Sequence, residues 1–334
     1  MARDLAVGIT EKGVCHTEGI DEFDLETKFR MVRDAGVYDY FDKTPEAPDL
    51  VDDYLRLSDK YALPLRAGGW FYTLGRDEEL LQSNLELGAR LGSHIHNTQI
   101  LMRHADGHLV TDDEVADIYL RAFEIGERVG CRPTFEVHVN MWSEHFGRVS
   151  RVADMVEKRG VPFRMTLDHS HVIFKIDNPA EQEVLDMRQD VESGAVVLDP
   201  AVDGNVCDEW IDKGYVWHCH ARAAVPNNPK NIWGQHPNGR VGRGIQYPFI
   251  EPAPGEYHSD WDGAKLEPWK TVMRRLLASH AAHDDSPLGQ ISTEFIPGPD
   301  YGMGSKYSIF EHSVACATWI KETWRQTLAE RDAA

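Results

Sequence analysis

Residues 133–172 read PTFEVHVNMWSEHFGRVSRVADMVEKRGVPFRMTLDHSHV. Thr134–Val139 is short, apolar and rich in β-branched and aromatic residues, which predicts a strand. Val149, Val152, Ala153 and Val156 then recur at helical spacing. Arg164–Asp168 is a second short apolar run. A strand, a helix and a strand in succession make the repeating unit of a parallel sheet.

The rhythm continues in both directions. Upstream strands are expected at Leu5–Ile9, Val37–Phe41, Pro64–Trp70 and His94–Leu101, and downstream strands at Tyr215–Ala221 and Gln290–Ile296. Helical faces fall between them, at Leu25, Phe29, Val32 and Ala35, at Leu50, Tyr54, Leu57 and Tyr61, and at Leu80, Leu81, Leu85, Leu87 and Leu91. Asp112–Val129 follows a Thr-Asp cap, and shorter helical pieces are expected near Ala180–Gln189 and Asp208–Lys213. Trp269–His280 and Ser308–Leu328 complete the set, the C-terminal RQTLAERDAA reading as a frayed helix end. Eight βα units in 334 residues predict an α/β chain folded as one (β/α)8 TIM barrel, residues 1–334. A doubly wound open sheet is the alternative, but no GxGxxG follows the first strand, which weakens a dinucleotide-binding version.

One segment breaks the pattern. Residues 224–264 are rich in Pro, Gly, Asn, Trp and His. A long loop with aromatics is neither an ordinary connection nor a disordered tract. It leaves the C-terminal end of strand seven, where barrel active sites form, so it is expected to be a lid or a partner-docking element.

The formal charge of −20 opposes binding to phosphate backbones, so no nucleic-acid partner is expected. The five cysteines are odd in number and show no CxxC pair, which fits a reduced, cytoplasmic chain. No apolar run suggests a signal peptide or a membrane span.

In a barrel, side chains at the C-terminal strand ends share one mouth. Strand five offers Glu136 and His138, two apart and so on one face. Strand six ends in Asp168, followed by His169 and His171. Strand seven offers His218, His220 and Arg222, and strand eight Glu294. A lone glutamate or histidine there is more often an ion-pair or core residue. Four successive strands doing the same is harder to dismiss, because three converging carboxylates repel unless a cation joins them. Glu136, Asp168, Glu294 and an imidazole make an oxygen-rich shell suited to Mn²⁺ or Mg²⁺, with Co²⁺ and Zn²⁺ also possible.

These residues resemble the metal site of the xylose-isomerase-like TIM barrels, a superfamily of sugar isomerases, epimerases and endonuclease-IV-type enzymes. The resemblance implies Glu136, Asp168, His220 and Glu294 as ligands. Its ketose 3-epimerases carry a His-x-His pair on strand seven whose second member is the ligand, which selects His220 over His218. His171, three after Asp168, matches a substrate-contacting histidine.

Within the superfamily, the Glu-x-His of Glu136 and His138 is similar to the catalytic subunit of bacterial C-glycoside deglycosidases. Those barrels pair with a small β-sandwich subunit and act on 3-oxo-glucosyl C-glycosides of phenolics. The similarity implies a hetero-oligomeric lyase with His138 as the base, and from their places at the strand ends Arg222, His171, His218, Trp70 and His96 are the candidates for contact with the substrate. The alternative is a divalent-metal-dependent isomerase or 3-epimerase of a free ketose. A repair endonuclease needs three zinc ions and more ligands, and a non-catalytic sugar-binding scaffold need not keep all four ligands. His94, Phe71, Asp39 and Asp42 are further candidates for polar or stacking contacts, and Trp233, Trp261 and His236 for aglycone or subunit contact.

Overall fold

In the computed structural model, which describes residues 4–44 and 48–333, eight parallel strands pair in chain order and the last pairs with the first. They are β1 (Ala6–Thr10), β2 (Tyr40–Asp42), β3 (Leu65–Tyr72), β4 (Ile95–Ile100), β5 (Arg132–Glu136), β6 (Met165–Leu167), β7 (Val216–Ala221) and β8 (Gln290–Thr293). The chain is a (β/α)8 barrel, as its sequence predicts.

Two strands, β5 and β8, end three residues earlier than expected. β5 stops at Glu136 because Ser143 closes a turn there: its Oγ donates to the Glu136 carbonyl at 2.6 Å and accepts from the His138 amide at 3.2 Å. β8 stops at Thr293, and the Glu294 amide still donates to the Ala221 carbonyl at 3.1 Å. His138 and Glu294 therefore lie just past the ladder, on the loops that build the mouth.

Alternation sorts the strand residues into two shells. Val7, Ile9, Phe41, Phe135, Met165, Leu167, Cys219 and Ile291 face outward into the main core under the helices. Ala6, Tyr40, Ala67 and Ile95 pack together separately. A polar layer carries Thr134 and Thr166, whose hydroxyls meet at 2.7 Å, and Ser292.

The helices are α1 (Leu25–Ala35), α2 (Val51–Tyr61), α3 (Glu78–Leu91), α4 (Asp112–Val129), α5 (Phe146–Glu157), α6 (Ser170–Ile173), α7 (Pro179–Gln182), α8 (Arg188–Glu192), α9 (Val206–Asp212), α10 (Glu267–Ala282) and α11 (Ile309–Ala333). Thr111 and Glu114 form a reciprocal capping box at the start of α4, satisfying amides that the first turn leaves free. The expected piece near Ala180–Gln189 divides into α7 and α8, because Leu185 and Asp186 both adopt left-handed backbone. Leu80 lies outside the buried face of α3, at 41% exposure. The C-terminal stretch is continuous helix to Ala333, and Ala334 lies outside the described residues.

Residues 224–262 hold no helix or named strand, yet they are firmly packed. Asn231 Nδ2 donates to the carbonyls of Pro299, Tyr301 and Met303 at 3.1, 3.0 and 2.9 Å. Arg243 pairs with Glu144 and Glu181, and Lys175 Nζ joins Glu144 at 3.0 Å. Gly242 passes so close to the Pro299 carbonyl that a Cβ would sit 1.9 Å from its oxygen. The loop is thus sewn to the segment after β8 and to the loop after β5. All five cysteines are buried and unpaired. Among the described residues no helix is long and apolar enough to cross a membrane.

Candidate metal site at the barrel mouth

Glu136 ends β5 with its side chain aimed into the mouth. Asn97 Nδ2 donates to its Oε2 at 2.7 Å, and Gln99 Nε2 donates to the same oxygen. Its Oε1 lies 2.8 Å from His220 Nδ1. Glu294 reaches the same nitrogen from β8, with Oε2 at 3.1 Å. One ligand atom from each of Glu136, His220 and Glu294 falls within 4.8 Å of the others.

Electrostatics explain why such a cluster calls for a cation. Burial alone would lower the His220 pKa, but Glu294, Glu136 and Asp42 outweigh it and push the imidazole well above its ordinary value. Burial would raise Glu294, yet His220 and Arg222 hold its carboxyl at about 2. A protonated imidazole thus holds together carboxylates that would otherwise repel. The donor set of two carboxylates and one imidazole nitrogen suits a divalent ion of the Mn²⁺ or Mg²⁺ kind.

Asp168 sits differently. Its Oδ1 accepts from the Ser170 amide at 3.0 Å and from Ser170 Oγ at 2.5 Å. Its Oδ2 lies 2.7 Å from Arg222 Nη1 and 3.1 Å from His171 Nε2. Arg222 also donates from Nε to the Glu294 carbonyl at 2.8 Å and from Nη2 to the Glu294 carboxylate. Its guanidinium lies 4.3 Å over the Tyr301 ring. Of the four expected ligands the structure brings three together and gives the fourth to Arg222. Arg222 itself is fully buried, with every nitrogen committed, so it braces Asp168 and Glu294 and does not present donors to the cavity.

His138 packs against His171, with ring centroids 4.2 Å apart. Its Nδ1 faces the Val139 carbonyl at 2.6 Å, which assigns the proton to that nitrogen. Its Nε2 is left to accept from the Tyr301 hydroxyl at 3.2 Å. Burial, reinforced by His171, lowers the His138 pKa to about 4, so the ring is neutral at pH 7.

A cavity of about 100 Å³ opens beside the cluster, lined by Thr10, Lys12, Asp42, Lys43, Trp70, Gln99, His220 and Glu294 among others. Trp70 stacks on Phe71 at its rim, ring centroids 5.3 Å apart. Of the five expected substrate contacts only Trp70 lines this cavity: Arg222 and His171 are buried on Asp168, and His96 and His218 are placed elsewhere. His96 faces outward from β4, where its Nε2 meets the Tyr72 hydroxyl at 2.6 Å over α3. On a strand of period two the inward residues are Asn97 and Gln99. His218 points into the barrel beneath the cavity, 3.4 Å from Asp42 Oδ2. His94 is exposed at the start of β4, and Asp39 is paired with Lys321 at 2.8 Å.

No residue of the long loop lines this cavity. Trp261 Nε1 donates to the Pro248 carbonyl at 2.9 Å, Trp233 packs on His258, and His236 pairs with Asp300 at 2.7 Å. These side chains hold the loop to itself and to the barrel.

Asn97, Gln99 and Tyr301 are the neighbours that the sequence reading does not name, and Asp42 is named there only as a candidate polar contact. The first two share one face of β4, alternating with His96 and Thr98, and Asn97 stands level with the inward Thr134 of β5.

No family model matches this chain, and no curated protein sequence does. Solved structures do match in fold. A xylose isomerase-like TIM barrel protein from Mycobacterium smegmatis, in complex with magnesium, is 12% identical, with a TM-score of 0.56 over 98% of this chain and 100% of that one. D-allulose 3-epimerase from Methylomonas sp. is 13% identical, with a TM-score of 0.53 over 98% and 99%. The 3-keto-D-glucoside 4-epimerase of E. coli is 11% identical, with a TM-score of 0.52 over 95% and 99%. The structural neighbours are thus xylose-isomerase-like barrels that include sugar epimerases, and at this identity the likeness is one of fold.

Proposed function

We propose that this protein is a divalent-metal-dependent enzyme that enolises a keto sugar, most simply as an isomerase or 3-epimerase. The observation that carries the reading is the convergence of Glu136, His220 Nδ1 and Glu294 beside an open cavity at the C-terminal strand ends. Fold likeness to sugar epimerases supports it. A bound divalent ion would polarise a sugar carbonyl and its neighbouring hydroxyl, acidifying the carbon-bound proton between them.

The protein's own groups supply the rest. Glu294, held ionised by His220 and Arg222, is in the form that accepts a proton. Glu136 is oriented by Asn97 and Gln99 and is the second carboxylate, so one can take the proton and the other return it. Lys12, Lys43 and Thr10 at the cavity wall offer donors for hydroxyls, and Trp70 offers a face for sugar C–H groups.

The second reading is C-glycoside cleavage, and the contact between His138 and Tyr301 favours it. His138 Nε2 would take the proton beside a 3-ketone. The resulting enolate would expel the aglycone from the adjacent carbon, breaking the C–C bond, and Tyr301 would return a proton to the aglycone. A small partner subunit and a cytoplasmic location belong to this reading.

Metal-loaded protein in D₂O separates the possibilities. The main reading expects deuterium at the carbon beside the carbonyl of a ketose such as D-allulose. No bound Mn²⁺ and no exchange would overturn it. Release of aglycone from a 3-oxo-C-glucoside, lost in His138→Ala while ketose exchange persists, would instead establish the second reading.

A further inference from the structure

We propose that Asp42, at the end of β2, is a positioning residue for this site: it fixes the ring of His220 so that Nδ1 faces Glu136 and Glu294. The inference rests on the metal-site reading above and extends it to a residue outside the four expected ligands. His220 has two edges. Its Nδ1 edge meets the two glutamates at 2.8 and 3.1 Å. Its Nε2 edge faces Asp42 Oδ2 at 3.6 Å and has no hydrogen-bond partner. At that length the contact is electrostatic, not a full hydrogen bond. A carboxylate can only accept: without a cation the two glutamates draw a proton to Nδ1, and once a cation takes its place there Asp42 is the acceptor that keeps the remaining proton on Nε2 and leaves the lone pair on Nδ1. That is the form a cation held by Glu136 and Glu294 requires, and a ligating histidine commonly turns its other nitrogen to such a carboxylate.

Asp42 is in turn held from β8, which lies two strands away on the far side of β1. Ser292 Oγ on β8 donates to Asp42 Oδ2 at 2.6 Å, and Tyr40 Oη meets Ser292 Oγ at 2.7 Å. Tyr40 lies flat across Gly8 of β1, where a Cβ would come within 2.4 Å of its ring. His218 Nε2 approaches the same carboxylate oxygen at 3.4 Å, so both histidines of β7 are referred to one residue of β2. Asp42 is 5% exposed, which shields the contact from water.

The test is Mn²⁺ titration calorimetry on metal-stripped wild type, Asp42→Asn and Ser292→Ala, with Co²⁺ d–d spectra at saturation and thermal unfolding of each stripped protein. Asp42→Asn is expected to raise the Mn²⁺ Kd by about 10–100-fold. Stoichiometry and the saturated Co²⁺ spectrum should stay unchanged. Ser292→Ala, which keeps the carboxylate but frees it, should raise Kd less, and it carries the test should Asp42→Asn fail to fold. An unchanged Kd in the variants overturns the inference alone. So does an altered Co²⁺ spectrum or a lost ion, which would make Asp42 a ligand. A wild type that binds no Mn²⁺ overturns the metal-site reading and this inference with it.

Discussion

Arg222 is the residue whose role the structure changes most. Its guanidinium joins Asp168 and Glu294 and rests on Tyr301, all within the protein interior. Arg222→Met would leave two buried carboxylates without their partner. Breaking a buried pair by removing one member costs about 3–5 kcal/mol. A clear fall in Tm is therefore expected in thermal unfolding, and Arg222→Lys should recover only part of it, because an ammonium cannot reproduce the two-pronged contact. His138 permits a second test. A general base works in its deprotonated form and fails as pH falls through its pKa. With that value near 4, any acid limb of kcat/KM due to His138 should lie near pH 4 and not near 6.5. His138→Ala should remove that limb. Glu136, Asp168 and Glu294 stood out in the sequence because ionisable residues at apolar strand ends are conspicuous, whereas preferring His220 to His218 needed the resemblance to the epimerases. Asn97, Gln99 and Tyr301 did not stand out, since neutral polar residues at such positions have many ordinary uses.

Among the elements, the segment of residues 224–262 separates expectation from outcome. Composition marked it as ordered and functional in kind, but not which surface it would join. Arg243 carries the answer, reaching Glu144 and Glu181 across the mouth-side loops, with Asn140 Oδ1 at 3.5 Å from its Nη1. Arg243→Ala should free the loop from the barrel body. Limited proteolysis should then cut within residues 224–262 well before the rest of the chain, whereas the wild type should resist; equal cutting rates would refute the anchoring role. The strands show the converse case. Their positions were readable from apolar runs, but the ends of β5 and β8 depend on the Ser143 turn and on pairing with β7, which no run of residues announces.

At the scale of the molecule, burial governs how the protein should respond to acid. His96, His138, His169 and His312 are each lowered to about 4 by burial. An unfolded chain takes up those protons near pH ~6.5, while the folded one refuses them until about 4. The unfolded state thus binds more protons across this window, and stability falls as pH drops through it. His220 and His108, shifted upward by their carboxylates, act in the opposite sense, but their contribution is present below pH ~6.5 and is lost as pH rises above it, outside this window. Glu144 adds a later loss. Burial would raise it, but Lys175 and Arg243 hold it at about 2, so its contribution is intact above ordinary carboxylate values and fades as pH approaches 2. Calorimetry in chelator should show Tm declining already between pH 6.5 and 4.5; a flat Tm there would contradict the buried neutral histidines. The sequence by itself determined the alternation of strand and helix, hence the closed parallel barrel, and the presence of carboxylates and imidazoles near four neighbouring strand ends. It did so because local periodicity and residue chemistry are properties of the chain. Only the tertiary structure decided which of those groups meet. Strand register and ring orientation turned His96 outward, brought Asn97 and Gln99 to Glu136, gave Asp168 to Arg222 and set Asp42 behind His220, because contacts between strands depend on how the sheet closes and not on spacing along any one strand.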